Sequence, residues 1–141
     1  MVPRLMVVDD DDDVARLVCR AAESLGFSTQ TVSGIAAFDA FVNFEPDVVV
    51  VDIFMPEIDG FEILHYLGQT HKGASVVIVS GKGISFRAMA EHMCEQEGLH
   101  ILANVAKPFS IERLHSIISE AKKLHPIHLP PAWQADALSS V

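Results

Sequence analysis

Five aspartates stand in a row at 9–13, directly after the apolar run LMVV at 5–8. Asp52 follows VVVV at 48–51, Ser80 and Gly81 follow VVIV at 76–79, and Lys107, Pro108 and Phe109 follow HILANVA at 100–106. Carboxylates held a few ångströms apart raise one another's pKa unless a cation intervenes. If these runs are neighbouring strands, Asp9, Asp10 and Asp52 meet at one edge. A hard divalent ion such as Mg²⁺ suits that edge, since it takes oxygen ligands, usually one or two carboxylates with waters and a phosphoryl oxygen. Lys107 would add a compact, mobile positive charge able to meet a phosphoryl group on Asp52, and Ser80 could donate a hydrogen bond to the same group.

The elements that must position these groups are legible from their patterns. Five β-branched runs (LMVV, FSTQTV at 27–32, VVVV, VVIV and HILANVA) alternate with segments of helical period. VVVV and VVIV are apolar at every position, as in strands buried on both faces of a parallel sheet. Val14, Leu17, Val18, Ala21, Ala22 and Leu25 repeat at helical spacing, with Gly26 as the stop, and Ile111, Leu114, Ile117, Ile118 and Ala121 do the same behind Ser110 as N-cap. Helices are also expected over Ile35–Phe44, Phe61–Leu67 and Phe86–Glu97, with Phe38, Phe41 and Phe44 of the second helix in the core. Five βα units with right-handed crossovers make a doubly wound α/β domain, a parallel sheet with helices on both faces. Ligands of such sheets bind beyond the carboxyl ends of the strands, where the groups above fall; the second strand ends in Thr31, Val32 and Ser33 and offers only hydroxyls. Asp11 to Asp13 would open the first helix, one as a cap and the others at the positive end of its dipole. Such contacts are worth only about 0.3–1 kcal/mol each, so a metal must offset the remaining repulsion.

The bulk composition narrows the function classes. Ten basic against nineteen acidic residues give a formal charge of −9, which argues against nucleic acid or an anionic membrane as a partner. Cys19 and Cys94 are far apart and form no CxxC, so no disulfide framework is expected and a reducing cytoplasm is. No apolar run has the length of a membrane span, and acid follows the N-terminal apolar stretch too soon for a signal peptide. The seven histidines are scattered without ligand spacing. From His125 onward HPIHLPPAWQADALSSV holds three prolines and no period, and reads as a tail or linker over 125–141, with Trp133 able to pack it back.

VVDD near the N-terminus, VVVVDIFMPEIDG, VVIVSG and AKPF, in this order, resemble the receiver domain of two-component response regulators over residues 4–124. The division expected is therefore a receiver at 1–124 and a tail at 125–141. The resemblance implies a flavodoxin-like fold with strand order 2-1-3-4-5. It implies that Asp52 accepts a phosphoryl group from a sensor histidine kinase or a histidine phosphotransfer protein. Mg²⁺ would be bound by Asp10 and Asp52, by Asp9 directly or through water, and by the backbone carbonyl of Phe54. Lys107 would pair with the phosphoryl group, Ser80 would move towards it, Pro56 and Gly60 would shape the loop after Asp52, and Pro108 would follow a cis peptide bond. An attached output domain or partner protein, and a homodimer, are the further partners the family suggests. GLHILANVAKPF resembles receivers joined to cyclic-diguanylate phosphodiesterase domains.

Two positions depart from the family pattern. Asn104, three residues before Lys107, stands where an aromatic side chain often rotates inward on activation. Phe54, two residues after Asp52, is bulky and apolar where the side chain influences phosphoryl lifetime, so slow hydrolysis is expected. Taken singly, the aspartate run could be a solvated helix start, Asp52 a loop cap, Lys107 a surface lysine and Ser80 structural; their joint placement at strand ends favours the chemical reading. Two other functions stay open: a receiver-like docking module not regulated by phosphorylation, left alive by Asn104, and an aspartyl-nucleophile hydrolase, disfavoured because Phe54 stands where such enzymes carry a second acid.

Overall fold

In a computed structural model of the chain, residues 2–81 and 83–125 are described, and they alternate strand and helix five times. The elements are β1 (Arg4–Val8), α1 (Asp12–Ser24), β2 (Ser28–Val32), α2 (Ala36–Phe44), β3 (Val48–Asp52), α3 (Gly60–Thr70), β4 (Ser75–Ser80), α4 (Ile84–Glu97), β5 (His100–Ala106) and α5 (Ile111–Leu124). The strands are parallel, in the order β2-β1-β3-β4-β5. The chain runs outward from β1 to β2 and then returns past β1 to β3. That reversal lies between β1, which Asp9 follows, and β3, which ends at Asp52, the place where open α/β sheets bind ligands.

Alternate residues of each strand point to opposite faces, and this divides the core in two. Met6, Val8, Val49, Val51, Val76 and Ile78 pack under α2, α3 and α4. Leu5, Val7, Val48, Val50, Val77 and Val79 pack under α1 and α5. The uninterrupted valine runs are thus explained: β3 and β4 are buried at every position. At the edge, β5 is mostly half-buried and skips one register position against β4 between Val76 and Val77.

The helix ends follow local chemistry. Asp11 caps α1 by accepting from the N–H groups of Asp13 and Val14, and Asp12 and Asp13 occupy the first turn. Asp59 caps α3 and Ser110 caps α5, whereas α4 begins at Gly83 with no side-chain cap. Gly26 takes a φ of 94° just past α1, a left-handed conformation that favours glycine. Of the three phenylalanines expected in the core from α2, only Phe41 is fully buried; Phe38 and Phe44 lie half-buried against the same cluster. A spacing of three drifts around a helix, so three such side chains do not share one face. The tail from residue 126, including Trp133, lies outside the described residues.

Candidate functional site

Because β1 and β3 are adjacent and end in register, the residues just past Val8 and Val51 emerge side by side. Asp9 is 2% exposed and Asp52 4%, an unusual degree of burial for carboxylates. The backbone holds both. Asp9 Oδ1 accepts the N–H of Asp11 at 2.9 Å, and Asp52 Oδ1 accepts the N–H of Phe54 at 3.1 Å. Asp10 is exposed beside them, and the three carboxylates each offer an oxygen within 4.8 Å of the others.

Lys107 reaches this pair from the end of β5. Its backbone N–H donates to the Ser80 carbonyl at 2.8 Å, and a cis peptide bond joins it to Pro108. The ammonium donates to Asp52 Oδ2 at 3.2 Å and forms an ion pair with Asp9 Oδ2 at 3.0 Å. Ser80, at the end of β4, is fully buried. The residues singled out from sequence as Asp9, Asp10, Asp52, Ser80 and Lys107 therefore all lie at the carboxyl edge of adjacent strands.

The electrostatics show the crowding. Burial pushes the Asp9 carboxyl up to about 6; the Asp11 N–H and Lys107 pull it down, and the Asp52 charge pushes it up again. Burial works to lower the Lys107 pKa, but its contacts with Asp9 and Asp52 outweigh that and raise it. One ammonium faces three carboxylates. Moreover, Asp9 Oδ2 is enclosed with no hydrogen bond, the ammonium beside it being out of line for one. An enclosed carboxylate oxygen with spare lone pairs, two further carboxylates and excess negative charge fit a hard divalent cation. Asp9, Asp10 and Asp52 are the side chains that would hold it.

Two neighbours extend the site. Phe54 meets Phe86, on the first turns of α4, edge to face with ring centroids 4.8 Å apart and planes at 84°. Asn104 turns towards α4, donating to the Arg87 carbonyl at 2.9 Å and to Glu91 Oε2 at 3.0 Å. Sequence reasoning singled out Phe54 and Asn104 as departures, but neither partner on α4. Nothing in the spacing of Phe86, Arg87 or Glu91 announces a contact with another element. The ion pair between Lys107 and Asp9 was also missed, since charge alone does not say which carboxylate a lysine will choose.

A doubly wound sheet of this order, with a buried acid just past β1, another at the end of β3 and a lysine just past β5, has the architecture of a receiver domain. The response regulator receiver domain family matches residues 5–119, and the chain belongs to that family. It is 32% identical over 145 aligned positions to the regulatory protein AtoC of Escherichia coli (strain K12), covering 94% of this chain and 30% of that protein. It is 31% identical over 117 positions to the response regulator MprA of Mycobacterium sp. (strain KMS), covering 81% of this chain and 48% of that one. The chain thus spans between about a third and a half of these relatives. Among solved structures, the BeF3-activated DrrB receiver domain superposes with a TM-score of 0.67 at 25% identity, over 87% of this chain and 99% of that one. The Francisella response regulator 1452 receiver domain does so with a TM-score of 0.69 at 26% identity, over 86% and 97%.

Proposed function

We propose that Asp52 is the phosphoacceptor of a two-component switch, taking its phosphoryl group from a histidine kinase or a histidine phosphotransfer protein. The observation that carries this is the joint engagement of Lys107 by Asp52 Oδ2 at 3.2 Å and Asp9 Oδ2 at 3.0 Å. Asp52 Oδ2 thus lies beside an ammonium that could follow a new phosphoryl oxygen. In the transfer, a carboxylate oxygen of Asp52 attacks phosphorus, the phosphorus–nitrogen bond of the donor histidine breaks, and the imidazole leaves with a proton from solvent. A divalent ion, when bound, supplies neutralisation of phosphoryl charge. The chain's part is positioning: Asp9, Asp10, Asp52 and the Phe54 carbonyl would hold Mg²⁺, Lys107 pairs with the phosphoryl oxygens and the Ser80 hydroxyl donates to one of them. Residues 1–124 form this unit and 125–141 a tail or linker. It acts in the cytoplasm as a signalling domain without turnover of a substrate, handing its state to an output domain, a partner protein or a second copy. No helix among the described residues is long and apolar enough to cross a membrane.

Treatment with acetyl phosphate and Mg²⁺ should add one phosphoryl group to the intact mass, and Asp52→Asn or chelation of the metal should prevent it. Retention of the modification in Asp52→Asn would overturn the assignment. Metal binding requires Asp9 ionised, so Mg²⁺ affinity should fall as the pH drops through about 6, where the Asp9 carboxyl is protonated. Titrating Mg²⁺ at pH 5 and pH 8 checks this; equal affinity would remove Asp9 from the metal set.

A further inference from the structure

The first turns of α4 have few local anchors. The helix follows Gly83 with no side-chain cap, like α2 and unlike α1, α3 and α5, and Ile84 and Met89 stand exposed at 74% and 58%. Phe86 is itself 42% exposed, yet its other side meets the ring of Phe54 edge to face. Phe54 is in turn fixed at its backbone, where its N–H donates to Asp52 Oδ1. A continuous path of two residues therefore runs from the nucleophile's carboxylate to the exposed face of α4.

We infer that Phe86 is a positioning residue of the phosphoryl chemistry, holding the ring of Phe54, a residue rooted by its backbone N–H on Asp52, in one rotamer and so prolonging the life of the aspartyl phosphate. The inference rests on the phosphoacceptor reading above. In hydrolysis a water oxygen attacks phosphorus, the bond between phosphorus and the Asp52 oxygen breaks, inorganic phosphate departs and the water's proton goes to solvent. Apolar bulk rooted next to the acceptor restricts the water's approach, and a ring without its partner is freer to leave that place. Edge-to-face pairs of this kind are worth enough to bias a rotamer well over its alternatives. Phe86 acts only through Phe54, so it is no catalytic residue, and its effect must vanish when Phe54 is gone.

The test is the first-order loss of the phosphoryl group after acetyl phosphate treatment, in Phe86→Ala, Phe86→Leu, Phe86→Tyr, Phe54→Ala and the Phe54→Ala/Phe86→Ala double variant. Phe86→Ala should hasten the loss by about 2- to 10-fold. Phe86→Tyr should restore the native rate, and Phe86→Leu should not. The double variant should lose phosphate no faster than Phe54→Ala. Native lifetimes in Phe86→Ala, restoration by leucine, or multiplied effects in the double variant would each overturn the inference. Failure of the native chain to take up phosphate would instead overturn the phosphoacceptor reading. Phe86→Leu and Phe86→Tyr keep the helix's apolar volume, so a folding defect in the alanine variant leaves the leucine–tyrosine contrast decisive.

Discussion

Helices α3 and α4 lie side by side on the same face of the sheet but are held in different ways. α3 has eleven residues and buries Gly60, Ile63, Leu64, Leu67 and Gly68. α4 has fourteen and buries only Ala90 and Cys94. The shorter helix is anchored by apolar burial along its length. The longer one is held by a few specific contacts: Phe86 on Phe54, Arg87 and Glu91 on Asn104, and Glu97 on α3. Apolar burial is non-directional and forgiving, whereas polar tethers are positional and can be exchanged. α3 therefore behaves as a strut that fixes the loop after Asp52, and α4 as the element whose position can respond to the site.

The sharpest break in this contrast should come from removing equal bulk from each helix. Leu64 is fully buried, so Leu64→Ala should cost about 2–5 kcal/mol in urea unfolding. Met89→Ala, at a position 58% exposed, should fall within about 0.5 kcal/mol of the native protein. Similar losses in both would mean that α4 is packed like α3 after all.

Two glycines of α3 sharpen the point. A Cβ at Gly60 would sit 2.6 Å from the Ile53 Cα and 2.7 Å from the Asp52 carbonyl oxygen, both backbone atoms at the end of β3. A Cβ at Gly68 would sit 2.5 Å from the Glu97 Cβ, on α4. Overpacking of this size costs about 1–3 kcal/mol. Gly60→Ala should lie at the top of that range and should also lower phosphoryl uptake, because the displaced atoms include the Asp52 backbone. Gly68→Ala should lie near the bottom, because α4 can yield. The reverse order of the two melting points would make α4 the fixed partner.

How much of this was legible in the chain's letters divides along the same line. Valine runs at 48–51 and 76–79 announce buried parallel strands by composition alone, and the strand ends then locate Asp52 and Ser80 without any contact being known. The periodicities of α1 and α5 announce the buried face, although Ile111 of the α5 set proves exposed, and Ser110 announces where α5 begins, while the aspartate run says that one of Asp11 to Asp13 caps α1 without saying that it is Asp11. α4 carried less signal, since a helix burying two residues has little pattern to read. Its true anchors are pairs whose members lie far apart in the chain, Phe54 with Phe86 and Asn104 with Glu91, and no local rule selects them. The position of Asn104 could be flagged as irregular, but what it replaces an aromatic ring with, a polar tie to α4, depends on tertiary placement.

That tie gives the third prediction. Asn104 spends its amide donors on the Arg87 carbonyl and the Glu91 carboxylate, while its Oδ1 is buried without a hydrogen bond. Asn104→Asp would set a carboxylate against both acceptors and repel the helix. Loss of hydrogen bonds of this type costs about 1–2 kcal/mol, and most of it should appear locally. Hydrogen exchange should quicken in the amides of α4 by about tenfold, at 1.4 kcal/mol per factor of ten, while α3 amides keep their protection. Equal loss of protection in both helices would mean that Asn104 supports the whole domain and does not serve α4 in particular.

The smallest effect belongs to the far end of α4. Hydrogen bonds from His65 and then Gln69, both on α3, hold the Glu97 carboxyl below its usual range. A carboxyl with a depressed native pKa contributes stability above its unfolded pKa and loses that contribution as the pH falls through the native one. Acidification from neutral to below the ordinary glutamate range should therefore loosen the last turn of α4 before it loosens α3. Glu97 is on an accessible seam, so the change should be slight and confined to amides near Gly98 and Leu99, which close on Glu95 and Cys94. In the His65→Ala/Gln69→Ala variant those amides should exchange faster at neutral pH and show little further response to acid. If the acid response survives the double substitution intact, another carboxyl governs it and α4 is not tied to α3 through Glu97.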